Sequence, residues 1–349
     1  MTEHIPFTVP TVDISAYTCN GTAQERQAVA RAMDDACTSV GFIQILGHAV
    51  PDAVIAGLTQ AVDDFLALPV EDKKAYIASG NRGYSPPKSE SLSLSLGIEA
   101  ASRMNDFFEA FNIGAEARWF AELDLSEDDY GINTWPEVDG FRPQVEAYYE
   151  HAARVARTLT TIFADALGEA SDYFEYLTDH SVDVLRMNNY ALPEGTDVTL
   201  DGDLTGMGEH TDFGIVTVLW ADRVAGLQVL GKDGIWHDVQ PIDGALLVNL
   251  GDLAARLTND HWSSTLHRVK PPVVDGTIQR RRSVAFFHDG NIDATITPLP
   301  SRRDTGNDPT YDPIVVRDHI AAKLGGSQYG EANTAAEREA SRVLAAKNS

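Results

Sequence analysis

Cysteine is scarce in this sequence, and long apolar runs are missing. The 349 residues include two cysteines, Cys19 and Cys37, which are too few for a disulfide framework and predict a reducing, cytoplasmic location. No stretch approaches about 18 uninterrupted apolar residues, and the first residues lack the basic and then apolar pattern of a signal peptide. We therefore expect neither a membrane-spanning helix nor an association with a membrane.

Basic residues are also few relative to acidic ones. The sequence holds 27 Lys and Arg against 52 Asp and Glu, which gives a formal net charge of -25 at pH 7. A surface of this charge repels phosphate backbones, which argues against nucleic acid as a partner. The excess of acidic residues otherwise favours solubility and identifies no substrate. The sequence does not predict the oligomeric state.

Short strands dominate the sequence from residue 182 onward. Runs rich in β-branched and aromatic residues alternate there with turn residues, and we predict strands over 184–190, 215–220, 227–230, 235–239, 245–250, 267–269 and 284–288. Many short strands at close spacing are typical of a barrel or jelly roll. The sequence therefore predicts a mainly β core.

Helices are predicted on both sides of this core. Apolar residues recur with helical spacing over 23–39, 52–68 and 139–167, and the Ala- and Glu-rich end from residue 332 onward also predicts a helix. We therefore expect four segments along the chain: an N-terminal α/β region at 1–120, a helical support at 121–180, a catalytic β core at 181–300, and a C-terminal loop and helix at 301–349.

A His-x-Asp pair precedes the predicted strand at 215–220. Residues two apart in an extended chain share a face, so His210 and Asp212 project to the same side. A second histidine, His267, lies in a later strand. Two histidines and one carboxylate form the facial triad of non-haem Fe(II) oxygenases, which leaves other metal positions open. A lone His-x-Asp is more often a surface polar pair, so the interpretation depends on the residues downstream.

An Arg-x-Ser pair supplies that downstream support. Arg281 and Ser283 again lie two residues apart, immediately before an apolar strand. A guanidinium and a hydroxyl on one face form a fork for a carboxylate. A metal triad together with a carboxylate fork suits an enzyme whose co-substrate is a dicarboxylic keto acid.

These motifs resemble the Fe(II)/2-oxoglutarate-dependent dioxygenases of the isopenicillin N synthase-like type. Residues 41–51 are similar to the family's "GFF…NHGIP" element, and further matches lie at 210–212, 226–229, 248–252, 264–269 and 281–283. The resemblance covers most of the chain. It implies a mainly β fold with flanking helices and a double-stranded β-helix core of the jelly-roll, cupin-like kind.

The resemblance also implies cofactors and their ligands. His210, Asp212 and His267 would bind Fe(II), and Arg281 and Ser283 would hold the distal carboxylate of 2-oxoglutarate. O2 and 2-oxoglutarate would be consumed, succinate and CO2 released, and a small organic substrate hydroxylated, desaturated or cyclised. The protein would orient the bound groups and exclude water.

The family's Asn-x-Tyr, which completes the co-substrate site, is matched by Asn188 and Tyr190. The alternative for this pair is an ordinary polar pair on a strand. Two departures occur, because Ala191 stands where a Pro is frequent and Arg282 stands where an aromatic or apolar residue is usual. Neither departure removes a ligand.

Two alternative functions stay open at this point. Isopenicillin N synthase itself uses no 2-oxoglutarate, and its Arg-x-Ser grips a substrate carboxylate, so the fork indicates carboxylate binding more strongly than 2-oxoglutarate. An Fe(II) oxidase of the same fold is therefore one alternative. A non-catalytic metal- or keto-acid-binding module is the other, although the intact triad and fork argue against it.

The parity of the strands also predicts a substrate pocket. Arg186, two residues before Asn188, should face the same cavity, and Phe287 should share the inner face of the Arg-x-Ser strand. Tyr84, in a Gly- and Ser-rich loop at 79–103, is expected to close over the substrate as part of a lid. We expect a substrate with an anionic or hydrogen-bond-accepting group and an apolar or aromatic body. Alternatively, Arg186 reaches past the cavity to an acidic neighbour.

The pair Asp275-Gly276 is typical of a two-residue hairpin turn. A strict hairpin around it would place His267 opposite Val284 and turn Arg281 to the other face. Because the chemistry needs His267 and Arg281 in one cavity, we predict that their strands lie in opposing sheets.

Overall fold

The computed structural model describes residues 7–96, 106–191, 206–274, 277–302 and 311–331, together with 333, 338 and 341. The helices are α1 (Ser15–Thr18), α2 (Ala23–Ser39), α3 (Asp52–Leu66), α4 (Val70–Lys74), α5 (Phe141–Leu167), α6 (Glu175–Thr178), α7 (Asp252–Leu257) and α8 (Val316–Tyr329). Short 3-10 helices cover Leu92–Leu96, Ala117–Trp119 and Pro300–Arg302.

The first eight strands are β1 (Thr11–Asp13), β2 (Phe42–Leu46), β3 (Gly83–Ser85), β4 (Glu109–Gly114), β5 (Val184–Tyr190), β6 (Met207–His210), β7 (Val216–Ala221) and β8 (Leu227–Leu230). The others are β9 (Trp236–Asp238), β10 (Leu246–Leu250), β11 (His267–Val269), β12 (Val273–Val274), β13 (Thr277–Ile278), β14 (Arg281–His288), β15 (Thr295–Ile296) and β16 (Ile314–Val315).

Two sheets form the core. The major sheet has the order β1-β2-β10-β7-β14-β5-β4-β3, and the minor sheet has the order β6-β11-β8-β9. Side chains from both sheets pack into one apolar cluster, in which Phe42, Tyr190 and Leu247 of the major sheet meet Val229 and Val269 of the minor sheet. Because the inner faces meet in this way, the mainly β fold with flanking helices and a jelly-roll core is confirmed.

Helix α5 covers the outer face of the major sheet. Its buried side chains recur every three or four residues, at Val145, Tyr148, Ala152, Val155 and Leu159. This spacing places them on one helix face. The ring of Tyr149 packs edge-on against Phe286 of β14, with 5.1 Å between the ring centroids. Gly168 ends the helix with φ of 72°, a left-handed conformation that glycine adopts without a Cβ penalty.

The chain between His267 and Arg281 crosses from one sheet to the other. Strands β12 and β13 pair in the register expected for a tight hairpin, with Val273 opposite Ile278, although the turn residues 275 and 276 lie outside the described residues. Beyond them the strands separate, since β11 pairs with β6 and β8 while β14 pairs with β5 and β7. Val284 opposes Met187 and not His267. The prediction of opposing sheets is confirmed.

Strands β1 to β4, which precede residue 120, are hydrogen-bonded into the major sheet. The division of the chain into four segments stays a prediction. The helix expected from residue 332 onward falls largely outside the described residues, and the sequence did not predict α8. None of the helices in the described part of the chain is long and apolar enough to span a membrane.

Helix α8 is fixed by a buried ion pair. Lys323 is fully buried, and its Nζ lies 2.6 Å from an Asp252 carboxylate oxygen and donates to the Thr211 hydroxyl at 3.0 Å. The Nε2 of His319 lies 3.0 Å from the carbonyl oxygen of Phe213. Both contacts reach the segment around Asp212, so α8 holds the chain that carries two candidate metal ligands.

This ion pair predicts a stability effect. Lys323→Met leaves the Asp252 carboxylate buried without its cation, so the free energy of unfolding should fall by about 3–5 kcal/mol in denaturant titrations. Lys74→Met, which breaks an exposed pair with Glu71, serves as the control and should cost less than about 1 kcal/mol. Equal costs for the two variants would contradict the structural role of Lys323.

Candidate active site

A cavity of about 510 Å³ lies between the two sheets. Nearly all the side chains predicted to bind metal, co-substrate or substrate line it, namely His210, Asp212, His267, Arg281, Ser283, Asn188, Tyr190, Arg186 and Phe287. Helix α8 contributes further wall residues, including Ile320 and Leu324. The fold therefore gathers residues from distant parts of the sequence around one space.

The three candidate metal ligands converge in this cavity. His210 at the end of β6 lies opposite His267 of β11 in the antiparallel register, and their ring centroids are 4.2 Å apart. The Oδ1 atom of Asp212 lies 3.8 Å from Nε2 of His210 and 3.5 Å from Nε2 of His267. One donor atom from each residue lies within 4.8 Å of the other two. Two imidazoles and one carboxylate in this arrangement can hold a divalent metal on one side.

The neighbours of the triad orient its donor atoms. Nδ1 of His210 donates to the carbonyl oxygen of Gly208 at 2.7 Å, and Nδ1 of His267 donates to that of Thr265 at 3.0 Å. With the proton on Nδ1, each ring keeps the lone pair of Nε2 for a metal. The other carboxylate oxygen of Asp212, Oδ2, accepts hydrogen bonds from the Thr217 hydroxyl and the Asn249 amide. Oδ1 therefore stays directed toward the two imidazoles.

Burial and mutual charge decide the protonation of the triad. Burial and then the neighbouring His267 lower the pKa of His210 to about 3. Burial alone would lower the pKa of His267, but the adjacent Asp212 carboxylate raises it above its ordinary value. Burial would likewise raise the pKa of Asp212, yet the two imidazoles and Thr217 lower it. A second proton at Nε2 of His267 competes with a metal for that atom, so acid should weaken metal binding.

The candidate co-substrate residues form two cross-strand pairs. Arg281 of β14 lies opposite Tyr190 of β5, and Ser283 lies opposite Asn188. The Arg281 guanidinium carbon is 5.1 Å from the centroid of the Tyr190 ring, and its Nη1 makes a long contact of 3.5 Å with the Ser283 hydroxyl. The predicted parity therefore brings all four side chains to one face.

The surroundings of Arg281 fit a bound carboxylate. Its side chain is 2% exposed, and within the described part of the chain its Nε has no hydrogen-bond partner and no carboxylate pairs with the guanidinium. A buried cation without a counter-charge is costly unless an anion compensates it. The guanidinium and the Ser283 hydroxyl together offer the donors that a carboxylate such as the distal one of 2-oxoglutarate accepts.

Arg186 lines the cavity but has an acidic neighbour. Its Nη2 donates to Glu90 at 3.0 Å, its Nε donates to Asn188 at 3.1 Å, and its guanidinium lies 5.0 Å from the Phe108 ring centroid. Glu90 faces the same cavity. Arg186 therefore faces the cavity and is also neutralised by a carboxylate, and its contact with a substrate stays a prediction.

Tyr84 was wrongly predicted as a pocket residue. Its side chain is 2% exposed and belongs to the core beneath α3 and α5, where it packs edge-on against Phe65. The hydroxyl donates to Glu109. β3 pairs with β4, which turns Tyr84 away from the cavity. The neighbouring Asn81 and Arg82 line the cavity instead.

Sequence reasoning missed several residues of this site. Asn249 lies in a segment that matched the family, but no pattern indicated that its amide would bind Asp212. Asp289 continues the inward-facing parity of β14 by one more step, and that signal could have found it. The α8 wall residues carry no comparable signal.

Comparison with known proteins agrees with this geometry. Residues 9–138 match the family described as "non-haem dioxygenase in morphine synthesis N-terminal", and residues 182–290 match the "2OG-Fe(II) oxygenase superfamily". The 2-oxoglutarate-Fe(II) type oxidoreductase hxnY of Emericella nidulans is 33% identical over 98% of this chain and 96% of its own length. The 2-oxoglutarate-dependent dioxygenase citB of Monascus ruber is 32% identical over 90% of this chain and 94% of its own.

A solved structure extends the similarity to the fold. A full-length Neurospora crassa protein, in complex with alpha-KG and 5-formyluracil, is 25% identical, covers 93% of this chain and 97% of its own, and superposes with a TM-score of 0.77. The relatives cover nearly the whole chain, and the candidate triad lies within the matched catalytic segment. The chain therefore belongs to the 2OG-Fe(II) oxygenase superfamily and is an Fe(II)- and 2-oxoglutarate-dependent oxygenase.

Proposed function

We propose that His210, Asp212 and His267 hold the Fe(II) of this oxygenase. One observation supports this proposal above all. Each of the three side chains places one donor atom within 4.8 Å of the donor atoms of the other two, on the wall of the cavity between the sheets. The tautomers set by the backbone carbonyls support it, because both Nε2 atoms are available as ligands.

We propose further that Arg281, Ser283, Asn188 and Tyr190 bind 2-oxoglutarate. The buried Arg281 guanidinium would pair with the distal carboxylate, and the Ser283 hydroxyl would add a hydrogen bond. The Tyr190 ring supports the guanidinium from one side, so the fork is preorganised. Relatives named for 2-oxoglutarate favour this co-substrate over the alternative of an oxidase that does not use it.

The iron would supply O2 activation coupled to decarboxylation of 2-oxoglutarate, with succinate and CO2 as products. The protein would position a small organic substrate beside the metal, exclude water, and allow hydroxylation, desaturation or ring closure. The charge of -25 supports a small molecule as the partner in place of nucleic acid. The thiols of Cys19 and Cys37 are unpaired, which supports a cytoplasmic location.

The triad can be tested by substitution. Ala at His210, Asp212 or His267 should lower iron-dependent succinate formation by more than about 100-fold, since even the outer partners of metal ligands are worth 10- to 100-fold in affinity. Circular dichroism should show an intact fold. His237→Ala is the control, because His237 lies in the same minor sheet but stacks on Phe7. Wild-type activity in the His267 variant would refute the ligand assignment.

The fork predicts a separate effect on 2-oxoglutarate. Arg281→Leu should raise the KM for 2-oxoglutarate roughly 10- to 150-fold, because a charge-assisted contact is worth about 1.5–3 kcal/mol. Fe(II) binding, measured by anaerobic titration, should change little. Arg268→Leu is the matched control, since Arg268 lies beside His267 but points to Gln228 and Trp236. A normal KM in the Arg281 variant would remove Arg281 from the co-substrate site.

We also propose that Arg186 and Phe287 contact the primary substrate. Both line the cavity, and Phe287 lies opposite Thr217, the residue that supports Asp212. Because Glu90 already neutralises Arg186, the guanidinium would serve a hydrogen-bond-accepting group more readily than a full anion.

Substrate coupling tests this proposal. Arg186→Leu and Phe287→Ala should lose substrate-dependent succinate formation while the slow succinate formation without substrate continues, because iron and 2-oxoglutarate stay bound. The two rates are compared in one assay after a substrate has been found by screening succinate release. If the substrate stimulates succinate formation in both variants as much as in the wild type, these residues do not belong to the pocket.

A further inference from the structure

We propose that Asp289 recognises a protonated nitrogen of the substrate, so that the enzyme acts on small organic amines. The inference rests on the proposed function, because it names the substrate class of the same cavity. Three observations support it. Asp289 lines the cavity, its carboxyl group is buried without a partner among the described residues, and most other charged residues around the cavity already have partners.

Asp289 continues the inner face of β14. The odd-numbered residues of this strand, from Arg281 to Phe287, line the cavity, and Asp289 follows in the same alternation. Two residues along an extended chain span about 7 Å. The Cα atom of Asp289 therefore follows that of Phe287 by about 7 Å, while Arg281 lies at the opposite end of the strand.

Asp289 also lies close to the candidate iron site. A Cβ on Gly214 would meet the Oδ1 atom of Asp289 at 2.0 Å, so the carboxyl group packs directly on a residue two positions after Asp212. Any side chain at position 214 larger than the hydrogen of glycine would collide with the Asp289 carboxyl group. A nitrogen held by Asp289 would bring the neighbouring carbons of the substrate into the cavity that the triad also lines.

The Asp289 carboxyl group has no partner in the described part of the chain. It is 9% exposed, and no hydrogen bond or ion pair among the described residues reaches its oxygens. Burial first, and then the nearby Asp183 and Asp212, raise its pKa well above the ordinary value. Burial and like charges therefore disfavour the ionised carboxylate, and a ligand that brings a cation would stabilise it.

Most of the other charged groups around the cavity are already engaged, apart from the exposed Asp128 and Glu331. Glu90 pairs with Arg186, and Asp129 pairs with Arg317. Arg82 donates to the backbone carbonyl oxygens of Asn81 and Ala115. Outside the co-substrate fork, a substrate anion would find these cations occupied, whereas a substrate cation would find Asp289 open. This balance favours an amine over an anionic substrate.

Three probes of matched size separate the possibilities. Benzylamine, benzyl alcohol and benzoate share one ring and differ in charge. We expect the full chain, loaded with Fe(II) and 2-oxoglutarate under argon, to bind benzylamine at least tenfold more tightly than the other two by calorimetry. Tightest binding of benzoate or benzyl alcohol would overturn the proposal, and this comparison needs no variant.

Asp289→Asn keeps the shape of the side chain and removes its charge. The variant should bind benzylamine about tenfold more weakly, because a hydrogen bond to a charged group is replaced by a neutral one, and should bind benzyl alcohol as before. Asp128→Asn is the matched control, since Asp128 is an exposed carboxylate lining the same cavity. Equal weakening in both variants would point to general negative potential and would overturn the role of Asp289.

Binding of 2-oxoglutarate is measured first in every protein. Normal 2-oxoglutarate binding without a preference for benzylamine would overturn the role of Asp289 and leave the proposed function standing. Failure of the wild-type protein to bind 2-oxoglutarate would overturn both.

Discussion

The antiparallel pairing of β14 with β5 and β7 is the constraint on which the rest of the site depends. Because side chains alternate along each strand, this register directs Arg281 and Ser283 inward while Val284 and Phe286 pack under the helices. One strand therefore serves both the apolar core and the cavity. A shift of one residue would exchange the two sets, burying a guanidinium against α5 and exposing apolar side chains to the cavity.

Among the buried charged residues, those that pair with an opposite charge within the protein differ in role from those that do not. Lys323 and Asp252 are fully buried but satisfied by each other, and they hold α8 against the segment that carries two triad residues. Arg281 and Asp289 are also buried, but no opposite charge among the described residues meets either of them. Fixed pairs stabilise the scaffold, whereas the Arg281 guanidinium at the start of β14 and the Asp289 carboxyl group just after its end are suited to ligands that bring an anion and a cation, respectively.

The sequence predicted the β core, the triad cluster and the inward parity of β5 and β14, because these depend on local alternation and on motif order. It could not predict that Glu90, far away in the chain, would neutralise Arg186. Tyr84 was misplaced because a loop composition does not reveal that β3 joins the sheet edge and turns this ring into the core. Helix α8 was missed because its anchoring residue, Lys323, is a charged side chain at a buried position.

The function of the cavity depends on where iron and 2-oxoglutarate bind relative to the two inner faces. A crystal structure of the full chain with both ligands, grown under argon and measured for the anomalous scattering of iron, tests this most directly. We predict one iron peak bonded to Nε2 of His210, Nε2 of His267 and the Asp212 carboxylate, with the distal carboxylate of 2-oxoglutarate on Arg281. An iron peak away from these three side chains, or a 2-oxoglutarate carboxylate bound elsewhere, would contradict it.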